Sequence, residues 1–271
     1  MLVFRDIKQW RRKRTNLQQG KSLGVVMTMG ALHRGHLELV KQSQADNDLT
    51  LVTLFVNPTQ FNAREDLDSY PHTFEEDMRL LKAEGVDFLF SPDYRAIYPD
   101  DYRYKLSETQ FSKQLCGGSR PGHFDGVLTV VMKLLQLAQA DRAYFGLKDY
   151  QQFKLIKGMA EAFFLSTDII GVEIIRDEEG LALSSRNLRL SEAGLKQARQ
   201  FAACFKQNKS LAEIRREIRK LEVEIDYLSD YEDRRFVAVW IEGVRLIDNM
   251  ALDAALIKKE AGKNETNTVE I

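Results

Sequence analysis

The chain has 271 residues, of which 44% are hydrophobic and 29% are charged, and its formal net charge is −1. This length suits one large domain or two modest ones, and the composition is ordinary for a globular enzyme. The near-neutral charge gives no bulk attraction to nucleic acid or anionic lipid, and no apolar stretch approaches the roughly 18 residues of a membrane span.

The N-terminal segment and the cysteines predict a cytoplasmic protein. The segment MLVFRDIKQWRRKRT has no long apolar core and is not a secretory signal. We interpret its basic run, residues 11–14, as a solvated helix end, because neither a longer basic tract nor stacking aromatics accompany it. Cys116 and Cys204 form no CxxC motif, which argues against a disulfide framework or a cysteine zinc site.

Strand and helix patterns alternate through the first 175 residues. Buried-strand patterns occur at residues 23–28, 49–56, 86–90, 142–146 and 168–175. Helical patterns occur at residues 37–47, 73–84, 126–139 and 148–164. Thr73 and Glu76 predict a capping box at the start of the second helix. Apolar strands that alternate with helices predict an α/β fold with a doubly wound parallel sheet.

The pattern changes after about residue 177. Helical patterns near residues 191–207 and 210–221 precede two strand-like runs at residues 234–243 and 244–250. We therefore predict two domains: a Rossmann-like nucleotide-binding domain over residues 1–176 and a smaller α+β domain over residues 177–271. The polar end, residues 258–271, is predicted to be frayed.

The segment TMGALHRGH, residues 28–36, joins the first of these predicted strands to a helix and has the residue types of a phosphate site. Ligands of parallel α/β sheets bind beyond the carboxyl ends of the strands. Gly30 permits a tight turn, and the helix start presents N–H groups and a positive dipole end. His33 and His36 share one helix face and have donors for phosphate oxygens.

Two other interpretations of the histidines stay open at this point. HxxH can chelate a metal, although the segment lacks the glutamate of HExxH and a third nearby ligand. Both histidines could also be purely structural. No GxxxxGKS/T or GxGxxG pattern occurs in the chain, which disfavours P-loop and dinucleotide-binding sites.

A second polar segment, GLALSSRN at residues 180–187, lies at the proposed domain joint. Ser184, Ser185 and Arg186 offer hydroxyls and a guanidinium group for polyphosphate oxygens. By itself such a segment is more often an ordinary polar loop. Together with HxGH it resembles the nucleotidyl-transferring superfamily that includes the class I aminoacyl-tRNA synthetases.

Six motifs narrow this resemblance to one family. They occur in the order FVNPTQF (55–61), EDLDSYPHT (65–73), SRPGHFDGV (119–127), GLKDYQQ (146–152), ALSSRN (182–187) and RLIDNM (245–250). With them the chain resembles the pantoate–β-alanine ligases over about residues 1–252. The resemblance implies that pantoate and MgATP form a pantoyl adenylate and pyrophosphate, and that β-alanine then releases AMP to give pantothenate. It also implies a small C-terminal lid domain and a homodimer.

The resemblance implies roles for individual residues in the matched motifs. The expected ATP-binding residues are Met29, Gly30, Ala31, Leu32, His33, Arg34, Gly35, His36, Gly146, Leu147, Lys148, Asp149, Ile175, Leu183, Ser184, Ser185 and Arg186. The expected catalytic residues are His36, His33, Lys148 and Arg186. Gln60 and Gln152 would hold pantoate, and Gln60 would also lie near β-alanine.

The chemistry of an acyl adenylation agrees with these residue types. The carboxylate of pantoate needs no base, but the charge that builds on the phosphates must be aligned and neutralised. His33, His36, Lys148, Arg186 and Mg²⁺ are expected to supply this. The amides of Gln60 and Gln152 suit the hydroxyls of pantoate.

Four further residues are weaker candidates. Asn57, Arg120 and His123 are predicted substrate contacts, although Asn57 could be a turn cap and His123 a structural cap. Asp149 is the candidate protein ligand of Mg²⁺, but a carboxylate at a helix start is often only a dipole partner.

Three positions depart from the family pattern. Arg34 stands where the family commonly has an acidic or neutral residue, Leu147 replaces a glutamate, and Asp125 replaces a basic residue. They raise a question about the detail of the ATP pocket.

Two alternatives to the ligase remain: an HxGH nucleotidyltransferase or adenylating enzyme with another acceptor, and a non-catalytic nucleotide-binding module. The near-neutral charge and the absence of a basic RNA-binding domain argue against tRNA.

Overall fold

The structure is a computed structural model that describes residues 1–17, 20–62 and 64–254. Contacts divide the chain into two compact units, Met1–Ile175 and Arg176–Ile271. In the described part of the chain, no helix has both the length and the apolar character needed to cross a membrane. The predicted frayed tail, residues 258–271, lies outside the described residues.

A six-stranded sheet forms the centre of the first unit. Its strands are β1 (Leu2–Phe4), β2 (Leu23–Thr28), β3 (Leu49–Leu54), β4 (Phe88–Phe90), β5 (Arg142–Gly146) and β6 (Asp168–Val172). They lie in the order β1-β4-β3-β2-β5-β6, and all neighbouring pairs are parallel. The central strands are buried, as their near-continuous apolar sequences require. The predicted α/β class with a parallel sheet is confirmed.

Helices and 3₁₀ turns connect these strands. The helices are α1 (Ile7–Thr15), α2 (Arg34–Asp46), α3 (Arg64–Asp68), α4 (Phe74–Ala83), α5 (Tyr94–Ile97), α6 (Leu115–Ser119), α7 (His123–Ala138) and α8 (Tyr150–Ala162). The 3₁₀ turns are Pro58–Gln60, Phe111–Lys113 and Leu147–Asp149. The strand order reverses beside β2, because β3 lies on one side of it and β5 on the other. Ligands of such sheets bind in the crevice at this point.

The second unit packs two helices on an antiparallel sheet. Its elements are the 3₁₀ turn Ser185–Arg189, α9 (Glu192–Phe205), α10 (Leu211–Arg219), β7 (Glu224–Tyr231), β8 (Arg234–Ile241) and β9 (Val244–Ala251). Phe201 and Phe205 of α9 and Ile214 and Ile218 of α10 form the core with β8. Arg235 is fully buried and makes two bonds to Asp230, which satisfies its charge.

Some local predictions were incomplete or wrong. Strand β7 was missed because a register shift between Ile225 and Tyr227 interrupts the alternation of inward residues. The capping box of α4 is wrong, since the side chain of Thr73 makes no cap hydrogen bond and lies 3.0 Å from Asp77 instead. The basic run does end α1, and Arg14 also donates to the carbonyls of Ala138 and Gln139 at the end of α7.

Candidate active site

The HxGH segment follows β2, and residues 147–149 follow β5, at the carboxyl ends of two neighbouring strands. Lys148 lies close enough for its charge to act on both His33 and His36, and Asp149 close enough to act on His33. The sheet therefore gathers two histidines, an ammonium group and a carboxylate at the point where its strand order reverses.

His33 and His36 form a compact pair at the start of α2. The Nδ1 atom of His33 accepts the N–H of Gly35 at 3.1 Å, and the Nδ1 atom of His36 accepts the N–H of His33 at 3.3 Å. The ring centroids are 4.1 Å apart. Because each Nδ1 accepts a hydrogen bond, each neutral ring carries its proton on Nε2. The pair thus presents two Nε2–H donors.

Gly35 permits the histidine cap. A Cβ atom at this position would lie 2.9 Å from Cε1 and 3.0 Å from Nδ1 of the His33 ring. A side chain there would push the His33 ring off the helix start. The glycine of HxGH therefore has a packing reason: it lets the ring of His33 fold onto the first turn of α2.

Both histidines are neutral at physiological pH. Burial and the charge of Lys148 lower the pKa of His33 to about 4, although the charge of Asp149 opposes this shift. Burial, the neighbouring His33 and the charge of Lys148 lower the pKa of His36 to about 3. The expectation that the histidines neutralise phosphate charge therefore changes: in this geometry they are hydrogen-bond donors, and Lys148 supplies the positive charge.

These shifts predict how the stability of the protein depends on pH. An unfolded histidine binds a proton near pH 6.5, whereas the folded pair resists protonation down to about pH 4 and 3. The unfolded state therefore binds more protons in this window, and the free energy of unfolding falls as the pH drops below 6.5. The slope is at most about 1.4 kcal/mol per pH unit for each histidine.

Urea unfolding of wild-type protein and of His33→Asn at pH 7, 6 and 5 measures this effect. Asparagine retains a helix-capping side chain but does not titrate, so the variant should lose less stability than wild type over this range. His72→Asn, at an exposed position two residues before α4 begins, is the control. Equal slopes for wild type and His33→Asn would contradict the low pKa of His33.

Asp77 of α4 holds the turn that precedes the histidines. This carboxylate is 1% exposed, and its two oxygens accept the N–H groups of Ala31 at 3.0 Å and Leu32 at 2.8 Å. Gly30 and Ala31 have φ values of 87° and 51°, in the left-handed region, where a residue with a side chain is strained. The buried carboxylate stabilises this turn by satisfying its N–H groups.

The main-chain donors at this helix start are thus largely occupied by the protein. Besides the two N–H groups bound to Asp77, that of Gly35 points to His33 Nδ1, and those of His36 and Leu37 point to the carbonyl of His33. The sequence suggested an open set of N–H groups for phosphate. The geometry instead favours the side chains of His33, His36 and Lys148 as phosphate contacts.

Asp77 was missed by sequence reasoning, although a signal was present. Phe74, Met78 and Leu81 form the apolar stripe of α4, and Asp77 falls on that same face. A carboxylate on a buried face needs hydrogen-bond donors. The donors come from a loop 45 and 46 residues away, which no local pattern reveals.

The loop after β5 carries the other predicted ATP contacts of the first unit. Gly146 ends β5, and Leu147, Lys148 and Asp149 form a 3₁₀ turn that leads into α8. A Cβ atom at Gly171 of β6 would lie 2.6 Å from the side chain of Leu147. Leu147 therefore packs against β6, which gives its apolar side chain a structural role. Ile175 lies three residues beyond β6, at the end of the unit.

The two adjacent glutamines of α8 have different environments. Gln151 is 5% exposed, and its amide binds the N–H of Cys116 and the carbonyls of Phe111 and Gln114. Gln152, the predicted pantoate ligand, is only half-buried. The geometry thus leaves Gln152 as the glutamine of this pair that has an exposed surface for a ligand.

The remaining substrate candidates lie near the 3₁₀ turn Pro58–Gln60. His123 contacts the main-chain carbonyl of Gln60 through Nδ1 at 2.7 Å, and Arg120 contacts the same main-chain carbonyl at 3.1 Å. Arg120 also lies 3.3 Å from Nε2 of His123. Both nitrogens of His123 thus face protein groups. Gln60 and His123 line one cleft of the first unit, together with Tyr102 and Lys105.

Asn57 is more deeply buried than a substrate ligand would be. Its side chain is 1% exposed, and its amide binds Gln60, Gly126, Thr59 and Tyr98. The prediction that it contacts substrate directly remains a prediction, while the geometry favours an indirect role.

The SSRN segment belongs to the second unit. Ser184 caps the 3₁₀ turn Ser185–Arg189 and accepts the N–H of Arg186 at 3.2 Å, and Asn187 donates to the carbonyl of Ala182 at 3.1 Å. Leu183, Ser184, Ser185 and Arg186 are all half-buried. Arg176 holds the preceding loop through two bonds to Asp248, at 2.6 and 2.8 Å, and one to the carbonyl of Gly180.

The structure also shows the environments of Arg34 and Asp125, the other two departures from the family pattern. The side chain of Arg34 is exposed at the start of α2. Asp125, in the first turn of α7, accepts the hydroxyl of Ser107 at 2.8 Å and pairs with Lys105 at 3.6 Å. In the described part of the chain, no group of three or more His, Cys, Asp or Glu side chains could hold a metal ion.

Sequence comparisons place the chain among known enzymes. A family model described as pantoate-beta-alanine ligase matches residues 2–251. A protein of Bdellovibrio bacteriovorus named pantothenate synthetase is 47% identical over 247 residues, which cover 91% of this chain and 96% of that protein. One of Coxiella burnetii with the same name is 46% identical over 248 residues, with coverages of 92% and 96%.

Solved structures give the same result. The crystal structure of pantoate-beta-alanine ligase from Francisella tularensis, complexed with beta-gamma ATP and beta-alanine, matches with a TM-score of 0.89 and 39% identity, over 93% of this chain and 97% of that chain. The pantothenate synthetase of Thermus thermophilus matches with a TM-score of 0.83 and 36% identity, over 93% and 99%.

Proposed function

Since the chain belongs to the pantoate–β-alanine ligase family, we propose that it is an ATP-dependent ligase that condenses pantoate with β-alanine to give pantothenate, AMP and pyrophosphate. The structural observation that carries the proposal is the neutral pair of His33 and His36 beside Lys148, at the ends of the neighbouring strands β2 and β5. Such a set of donors and one cation suits a polyphosphate ligand.

The first step forms a pantoyl adenylate. A carboxylate oxygen of pantoate attacks the α-phosphorus of ATP, the bond from this phosphorus to the bridging oxygen breaks, and pyrophosphate leaves. The carboxylate is already ionised, so no general base is required. Lys148 stabilises the charge that develops on the phosphates, while His33 and His36 donate their Nε2–H groups to phosphate oxygens. We retain Arg186 as a proposed phosphate contact.

The second step forms the amide. The unprotonated amine of β-alanine attacks the acyl carbon, the carbon–oxygen bond to AMP breaks, and the nitrogen releases a proton. Gln60 and Gln152 are the proposed ligands of the pantoyl group. The main-chain carbonyl of Gln60 is held by Arg120 and His123. These residues position the acyl carbon for the amine.

Magnesium fits this site as a companion of ATP. Mg²⁺ is commonly bound by substrate phosphates, waters and only one or two protein carboxylates. Asp149 is exposed near His33 and suits such a single contact, whereas the carboxylate of Asp77 is already bound to the main chain. When bound, the ion would neutralise phosphate charge. From the family resemblance we also propose a cytoplasmic homodimer with a small C-terminal lid domain.

Isotope exchange tests the proposed intermediate. Labelled pyrophosphate should enter ATP when pantoate is present and β-alanine is absent, because the adenylation step is reversible. The measurement is label in ATP over time with wild-type protein. Exchange that requires β-alanine would contradict the two-step reaction. Exchange without pantoate would favour the alternative, an adenylating enzyme or nucleotidyltransferase with another acceptor.

A further inference from the structure

The side-chain amide of Gln60 is the end of a buried hydrogen-bond chain. We propose that Asn57 and Tyr98 are positioning residues, which turn the amino group of Gln60, and not its carbonyl, toward the acid substrate. The inference rests on the proposed function only in naming pantoate as that substrate. The chain of bonds itself is a property of the protein.

The hydrogen-bond chain begins at a main-chain carbonyl. The Nδ2 atom of Asn57 lies 3.2 Å from the carbonyl oxygen of Gly126 in α7. A carbonyl can only accept a hydrogen bond, so the amino group of Asn57 must face it. This contact fixes which end of the Asn57 amide is nitrogen and which is oxygen.

The orientation passes from Asn57 to Gln60. The amino group of Asn57 also donates to Oε1 of Gln60 at 3.1 Å, so the carbonyl oxygen of Gln60 faces the buried side. The amino group of Gln60 consequently points the other way, where it lies 2.9 Å from Sδ of Met29. Sulfur is a weak acceptor and takes one of two N–H hydrogens, so the second is available to a ligand.

Two hydroxyl groups hold the other end of Asn57. Its Oδ1 atom accepts the hydroxyl of Tyr98 at 2.9 Å and the hydroxyl of Thr59 at 3.0 Å. Tyr98 is 2% exposed, and burial raises the pKa of its hydroxyl to about 12, so it remains a donor at any working pH. The ammonium group of Lys133 lies over the ring of Tyr98, 4.6 Å from its centroid, and makes a cation–π contact with it.

Close packing brings the main-chain carbonyl of Gly126 within reach of Asn57. A Cβ atom at Gly126 would lie 2.4 Å from the carbonyl oxygen of Thr59 and 2.8 Å from the nitrogen of Gln60. Only glycine at this position lets the turn Pro58–Gln60 pack directly on α7. The bonded network and the packing thus set the same orientation of Gln60.

This orientation decides the chemistry of the ligand. A fixed amino group is a donor, so the substrate atom opposite must be an acceptor. Pantoate offers hydroxyl and carboxylate oxygens that satisfy this requirement. An amide free to flip would accept equally well from a donor and would discriminate less.

Removal of a single hydroxyl tests this relay, that is, the hydrogen bonds that pass from Tyr98 through Asn57 to Gln60. Tyr98→Phe keeps the ring and removes one of the two donors that hold Asn57. We expect KM for pantoate to rise about 3- to 10-fold, the worth of one hydrogen bond, with KM for ATP unchanged. Tyr94→Phe is the matched control, because its ring centroid lies 5.1 Å from that of Tyr98 but its hydroxyl points to Asp101.

Asn57→Asp is the stronger variant. A carboxylate cannot donate to Gln60, so the Gln60 amide should rotate and turn its carbonyl toward pantoate, raising KM for pantoate by about 10²-fold. A purely structural role would instead lower the melting temperature and kcat without separating the two substrates. An unchanged pantoate KM in Tyr98→Phe, or equal effects on both substrates, would overturn the proposal.

A second measurement separates this inference from the proposed function. The side-chain ¹⁵NH₂ signal of Gln60 can be assigned by its loss in Gln60→Glu. It should move in Tyr98→Phe and Asn57→Asp and stay in place in Tyr94→Phe. A signal that does not move refutes the relay even if wild type makes pantothenate. A signal that moves supports the relay even if the enzyme uses another acid.

Discussion

Replacing Lys148 with alanine should slow adenylation by about 10²- to 10³-fold, the usual effect of removing one group that stabilises transition-state charge. The reason lies in the division of charge at the site. His33 and His36 are neutral, with pKa values lowered to about 4 and 3, so among these three groups Lys148 carries the positive charge. Rapid-quench measurement of pyrophosphate release gives the rate.

The same variant should affect the second half-reaction much less. In the proposed mechanism pyrophosphate has left by then, and the reacting centre is a carbonyl carbon attacked by an amine. Capture of pre-made pantoyl adenylate by β-alanine is the direct measurement, and Lys157→Ala, at an exposed position of α8, is the control. Equal losses in both half-reactions would mean that Lys148 holds the adenylate as a whole.

Replacing His36 should produce the second large effect, and the choice of replacement separates its two functions. His36→Asn places an amide near Nδ1, where it can still accept the N–H of His33, but has no group at Nε2. We expect this variant to fold and to lose about 10²- to 10³-fold in adenylation rate. His36→Gln reaches the Nε2 position with an amide N–H and should recover part of the rate. Pyrophosphate release and thermal unfolding measure the two functions.

A metal measurement accompanies the His36 variants. If the histidines donate hydrogen bonds to phosphate oxygens, wild-type protein should contain no stoichiometric zinc. One tightly bound zinc per chain, lost in both variants, would revive the chelation interpretation of HxxH. Loss of folding in His36→Asn would show instead that the ring is needed for the start of α2.

The sheet was predictable because its strands follow simple rules. Strands β2, β3 and β5 are buried on both faces and read as continuous apolar runs, and βαβ connections require them to be parallel. Strand β7 was not predictable in this way, because its bulge breaks the two-residue period. The three-residue strand β1 is too short to carry a period.

The sequence indicated which residues the structure brings together after β2 and β5, but not the electrostatics of that cluster. The motifs and their places after two strands predict that His33, His36 and Lys148 lie close together, and the structure places them so. The low pKa values of the two histidines could not be predicted, because they depend on burial and on a charge from the loop after β5, which is distant in sequence. The roles of Asp77 and Tyr98 depend on contacts of 41 to 46 residues' separation, which the sequence does not encode locally.

The hydrogen bonds between Asp77 and the turn after β2 mean that the HxGH loop does not hold its shape by itself. Gly30 and Ala31 of this loop have left-handed backbones, and the N–H groups of Ala31 and Leu32 are held by a carboxylate from α4, a helix that follows β3 in the chain. A βαβ fragment that ends at β3 would contain the complete HxGH motif and lack the group that shapes it. Grafting the motif onto another parallel sheet would therefore transfer the two histidines without their geometry unless an acceptor equivalent to Asp77 were supplied.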